Sequence, residues 1–130
     1  MAGTPISADG APAPGGPYSQ AIAAGGFVFL AGQGPFRPDG SPVEGDFRDK
    51  ARQTLENLAA VARAADGSLA DAVRVGVYLR DMANFPALNE VYGEFFSQPL
   101  PARTTIQSDL PGFELEVDAV LYLAAEAAEA

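Results

Sequence analysis

Arg103 opens a run of polar and β-branched residues directly after Pro101-Ala102. A planar guanidinium held at the start of a strand suits bidentate capture of a carboxylate. On spacing alone the commoner role is a surface arginine or an ion-pair partner of Glu114 or Glu116. Glu116 lies in phase with Glu114 and Asp118 on the polar side of an alternating segment. Three acids on one strand face repel one another, which can raise one pKa and create a general base. The same trio also describes a solvated edge strand, the more frequent pattern. Tyr18 follows the turn Gly15-Gly16-Pro17 at the head of a predicted strand. Its phenol can hydrogen-bond substrate or water, or sit as a core aromatic with a wet hydroxyl. Asn89 borders a helical apolar stripe and can bond a ligand or, more commonly, backbone. Gly32-Gln33-Gly34-Pro35 lacks the Gly-Lys-Ser/Thr of a phosphate loop, although its N–H groups can meet an anion. Lys50, the single lysine, reads as a solvated helix charge rather than a Schiff-base former.

Composition narrows the chemistry further. The sequence has no cysteine and no histidine. Thiolate nucleophiles, disulfides, Zn–Cys sites and imidazole bases are therefore excluded. A carboxylate-only metal site stays open, but no spaced Asp/Asn calcium loop is present, and no metal is expected. Carboxylate, phenol and guanidinium chemistry is what remains. The formal charge of −9, with cations scattered, argues against nucleic acid as a partner. No apolar run approaches the ~20 residues of a membrane span. The start of the sequence lacks signal-peptide features, so the expected compartment is the cytoplasm.

The elements that must position these residues fit one α+β domain over residues 1–130, with an N-terminal loop at 1–12 and a tail at 124–130. Tyr18–Ala24 and Phe27–Gln33 read as strands joined by Gly25-Gly26. The Pro- and Gly-rich stretch 34–45 reads as a loop. Asp46 caps a helix of about 18 residues whose apolar side carries Phe47, Ala51, Leu55, Leu58 and Ala62, with Gly67 as its stop. Val73, Val75, Val77 and Leu79 alternate with polar neighbours as a strand. Asp81 or Asn84 caps a second helix with the stripe Phe85, Leu88, Tyr92 and Phe95. Arg103–Ser108 and an acidic alternating segment from Phe113 supply the last strands. The order β-β-α-β-α-β-β puts both helices on one face of a mixed sheet, since crossovers are right-handed. The other face is left uncovered, with Phe27, Phe29 and Val120 among its candidates. That predicts self-association, with the pocket between subunits.

These pieces resemble the RidA (YjgF) family of reactive-intermediate deaminases. The resemblance rests on Ala13-Pro14 with Gly16-Pro17-Tyr18-Ser19-Gln20-Ala21, Ala31-Gly32-Gln33 and Gln53-Thr54-Leu55-Glu56-Asn57-Leu58. Further along it rests on Val77-Tyr78-Leu79-Arg80-Asp81-Met82, on Phe85 with Asn89, Tyr92, Phe95 and Phe96, on Pro101-Ala102-Arg103-Thr104 and on Leu110-Pro111. The resemblance implies a chorismate-mutase-like fold and a homotrimer with a central barrel and sites at subunit interfaces. It implies cofactor-free hydrolysis of enamines and imines, such as 2-aminoacrylate and related 2-imino acids, to 2-keto acids and ammonia. By the same resemblance Arg103 grips the substrate carboxylate, helped by the backbone of Gly32 and Thr105. Glu116 positions water, Tyr18 sits near the reacting end, and Asn89 lines the pocket. Two departures stand out. Ala31 replaces a serine common in deaminating members, which keeps open a non-catalytic 2-keto acid binding module. The turn after Leu110-Pro111 is one residue short, so Glu114 or Asp118 competes with Glu116. A ribonuclease or translation inhibitor is a third reading, opposed by the charge and the missing histidine.

Overall fold

The computed structural model describes residues 3–123. The expected tail at 124–130 lies outside the described residues. Six strands form one mixed sheet: β1 (Thr4–Ile6), β2 (Ala21–Ala24), β3 (Phe27–Gln33), β4 (Ala72–Leu79), β5 (Ala102–Gln107) and β6 (Leu115–Tyr122). Helices α1 (Phe47–Ala64) and α2 (Phe85–Phe95) complete the domain. The spatial order is β1-β2-β3-β6-β4-β5, with only β4 and β5 parallel neighbours. The last strand is therefore central, between β3 and β4.

The core lies between the sheet and the helices. On β6, Leu115, Val117, Ala119 and Leu121 are buried by strict alternation. They pack with Val75, Val77 and Leu79 of β4 and with Leu55, Leu58 and Val61 of α1. Helix α1 starts at a capping box in which Asp46 accepts from the Asp49 N–H at 3.0 Å and the Asp49 carboxylate accepts from the Asp46 N–H. No helix among the described residues is long and apolar enough to cross a membrane.

The α+β arrangement expected from the sequence is present, and several local readings are corrected. The N-terminal loop contains an edge strand, Thr4–Ile6, paired with β2. Tyr18 lies in the turn before β2, which begins only at Ala21. Helix α1 is closed by Asp66, which takes the left-handed conformation (φ 67°), while the Gly67 N–H bonds back to the Ala62 carbonyl at 3.0 Å. On α2 the buried residues are Leu88, Val91 and Tyr92, while Phe85 stays exposed. Asp81 caps the short turn Met82–Asn84 that precedes α2.

Val73 breaks the alternation of β4. Ala72 pairs with Leu121 and Arg74 with Val120, so β4 carries one extra residue at Val73. The bulge turns Val73 outward to 44% exposure, whereas Val75 is fully buried. The two valines accordingly differ in their expected response to truncation. Val75→Ala should cost about 1–3 kcal/mol in denaturant unfolding, and Val73→Ala should stay within about 0.5 kcal/mol. Equal losses would mean that the bulge is absent.

Candidate functional site

Glu116 points to the open face of the sheet, opposite Tyr78 of β4 in register. Its neighbour on β3 is Gly32, beside a register shift between Leu30 and Gln33. A Cβ at position 32 would collide with the Glu116 carboxyl group, whose carbon lies 2.7 Å from that position. Glycine is therefore what lets the acid lie flat against the bulged end of β3.

The three acids in phase are separated by their partners. Glu114 precedes β6 and forms a 3.0 Å ion pair with Lys50, joining the strand entrance to α1. Lys50 is thus a structural partner and not a solvated charge. Asp118 accepts from the Gly76 N–H and from the Tyr78 hydroxyl, both at 3.1 Å. Gly76 has its own steric reason: a Cβ there would lie 2.5 Å from Asp118 Oδ1. Glu116 has neither an ion pair nor a hydrogen bond among the described residues. Burial raises its pKa, and the Asp118 charge adds to the rise. Of the three candidates, Glu116 is the uncommitted carboxylate.

Glu116 opens into a cavity of about 370 Å³ with Tyr18, Gly32, Gly34, Phe36 and Phe113 on its walls. Tyr18 is 53% exposed, and its hydroxyl accepts from the Gly15 N–H at 3.1 Å. Its proton remains available to a ligand. Two buried amides, quoted in the sequence only as parts of motifs, hold the cavity walls. Gln20 accepts from the Ala8 N–H at 2.6 Å and donates to the carbonyls of Ala8 and Pro12, tying the N-terminal segment to β2. Asn57 on α1 donates to the carbonyls of Gly34 and Phe36, at 3.2 and 2.7 Å, and accepts from Gln53. A polar side chain inside each apolar pattern was the available signal. Nothing in the sequence told which backbone it would reach.

Arg103 lies elsewhere. It stands opposite Val75 in the parallel β4–β5 pair, so it faces the helix side, away from Glu116. Its guanidinium donates to Asn89 Oδ1 at 2.8 Å and lies over the Tyr92 ring at 4.6 Å from the centroid. Asn89 is exposed and acts here as a holder of Arg103. Arg103, Asn89, Tyr92 and Leu100 border a second cavity of about 360 Å³. Thr105 follows on the same strand face as Arg103, with a buried hydroxyl that lacks a partner among the described residues. Ala31 is half-buried beside Gly32 and brings no hydroxyl to the Glu116 side. One chain therefore groups Glu116, Tyr18, Gly32 and Ala31 on one side of the sheet, and Arg103, Asn89 and Thr105 on the other.

Comparison with known proteins now adds the lineage. Residues 8–123 match the family described as Endoribonuclease L-PSP. The chain belongs to this family, the RidA/YjgF/RutC family. A RutC family protein of Pyrococcus horikoshii is 49% identical over 120 residues, covering 90% of this chain and 95% of the relative. A Dermatophagoides farinae protein named 2-iminobutanoate/2-iminopropanoate deaminase is 39% identical over 121 residues, covering 91% and 94%. The crystal structure of RidA from the Antarctic bacterium Psychrobacter sp. superposes with a TM-score of 0.87 at 40% identity, covering 92% of this chain and 98% of that one.

The raised pKa of Glu116 has a consequence for stability. The folded state holds this proton more tightly than the unfolded chain, so folding loses stability as pH rises from the ordinary value of 4.5 through the raised one. Glu116→Gln removes that loss. The variant should unfold at a higher denaturant midpoint than the parent at neutral pH, and the gain should vanish below pH 4.5. A gain that is the same at every pH would show that Glu116 carries no such penalty.

Proposed function

We propose that the protein is a cofactor-free hydrolase of 2-imino acids and their enamine tautomers, 2-aminoacrylate included, acting in the cytoplasm. The site is assembled between copies of the chain in a homotrimer. The observation that carries the reading is the uncommitted Glu116 carboxylate with its raised pKa, facing a cavity with the Tyr18 phenol and the bare Gly32 backbone. The deaminase name of the Dermatophagoides farinae relative supports it. Self-association is supported by the open sheet face, where Phe27, Phe29 and Tyr122 are 40%, 48% and 40% exposed.

The chemistry suits these groups. An imine carbon is already electrophilic, so an oriented water is sufficient. Arg103 of one copy holds the substrate carboxylate through a charge-assisted pair, with Asn89 and the Tyr92 ring fixing its plane. Glu116 of the neighbouring copy accepts a proton from water as the water oxygen bonds to C2. The C=N π pair moves to nitrogen, which takes the proton from Glu116 and gives a carbinolamine. Glu116 then accepts the hydroxyl proton as the carbonyl forms, the C–N bond breaks with its pair on nitrogen, and nitrogen takes that proton from Glu116, leaving a 2-keto acid and ammonia. An enamine enters by gaining a proton at C3 and losing one from nitrogen. The Tyr18 hydroxyl is the donor available to the departing nitrogen or to the water.

Ala31 favours one competing role, a 2-keto acid sensor without turnover, because the serine hydroxyl of many deaminating relatives is missing. The ribonuclease role suggested by the family's description is opposed by the charge of −9 and the absence of histidine. Imines made in situ by an amino-acid oxidase and trapped with semicarbazide separate these readings. The protein should lower trapping while keto acid and ammonia accumulate. Glu116→Gln should cut the rate about 10²-fold or more while retaining 2-keto acid binding. Arg103→Ala should weaken that binding by about 1.5–3 kcal/mol. Binding of 2-ketobutyrate with no effect on trapping would establish the sensor instead.

A further inference from the structure

The Glu116 cavity has an aromatic corner that the hydrolysis itself does not use. Phe36 and Phe113 meet edge to face, with ring centroids 5.5 Å apart at 72°. They come from two segments distant in sequence, the loop after β3 and the turn before β6. Both rings are half-buried, and both line the same cavity as Glu116 and Tyr18.

This corner is built rather than incidental. Gly34 packs beneath both rings: a Cβ there would lie 3.1 Å from Phe36 and 3.4 Å from Phe113. Asn57, fully buried on α1, holds the carbonyls of Gly34 and Phe36 and so fixes the loop that carries the first ring. The second ring is anchored by its position between Gly112, at φ 85°, and Glu114, which is paired to Lys50. Pro12 and Pro14 extend the apolar wall.

An imine carbon bears three substituents. Under the proposed function the carboxylate belongs to Arg103, and the nitrogen and incoming water belong to Glu116 and Tyr18. The side chain of the imino acid is the substituent left for the aromatic corner. Phe36 and Phe113 stand on the wall that Glu116 and Tyr18 share, beside the carbon these two groups would act on. Edge-to-face rings present both a flat π surface and a C–H edge, which favour branched aliphatic or aromatic groups.

We infer that this site prefers 2-imino acids with bulky apolar side chains, and that Phe36 and Phe113 set this preference. The inference rests on the deaminase reading and names its substrate class. Each added methylene in such a corner is worth about tenfold or more in discrimination.

The test compares imines generated from leucine, phenylalanine and alanine, each trapped with semicarbazide in the presence of increasing protein. The protein concentration that halves trapping should be at least about tenfold lower for the leucine and phenylalanine imines than for the alanine imine. Phe36→Ala should bring the ratio toward unity. Phe113→Leu, a milder change, should lower the phenylalanine imine's advantage more than the leucine imine's, and it serves if Phe36→Ala fails to fold. An alanine imine hydrolysed as readily as the others overturns the preference and leaves the deaminase reading standing. A preference untouched by either variant overturns the role of the two rings. Protection of no imine at all overturns the deaminase reading, and this inference with it.

Discussion

A half-buried carboxylate without a counter-charge is costly, and much of the architecture around Glu116 keeps it that way. The β3 bulge and the missing side chain at Gly32 give the carboxylate space. Glu114 is neutralised by Lys50, and Asp118 is satisfied by Gly76 and Tyr78. Their commitments leave Glu116 as the carboxylate without a partner, with its proton affinity raised by burial and by the Asp118 charge. Gln20 and Asn57, two amides buried at some cost, fix the walls around it. The apolar core below supplies rigidity: Leu115 and Val117 flank Glu116 and are fully buried.

Much of this was legible in the sequence wherever one periodicity ran over many residues. Helix α1 and the acidic strand β6 follow their patterns closely, because each buries one continuous face against the other. The RidA resemblance is shown by a family match over residues 8–123. Short or tertiary features were not legible. The strand Thr4–Ile6 exists only because β2 offers it an edge. The bulge at Val73 is a register event between strands and leaves no mark in alternation. Asp66 rather than Gly67 took the left-handed position, as the short polar side chain of aspartate permits. Choosing among Glu114, Glu116 and Asp118 required knowing their partners, and those come from α1 and β4.

The direction of Arg103 is the most instructive gap. Its alternating strand has an edge position and exposed residues on both faces, so its pattern does not tell which face the arginine takes. The parallel register with β4 sends it toward α2, where Asn89 and Tyr92 hold it. Under the proposed function, a clamp and a base on opposite faces of one sheet could not act on the same small molecule within one chain. The proposed ring of identical subunits would resolve this, since a head-to-tail interface brings two different surfaces together at every contact. The exposed aromatics of the open face would offer such a ring an apolar contact.

The shared site is therefore the central claim, and subunit mixing tests it most directly. Arg103→Ala and Glu116→Gln proteins, each strongly impaired against trapped imines, are unfolded together in equal amounts and refolded. Random assembly gives about a quarter of interfaces an intact Arg103 facing an intact Glu116. Recovery of roughly that fraction of parental activity is the predicted result. A mixture as inactive as its two components, with hybrid oligomers verified, would contradict a site shared between copies.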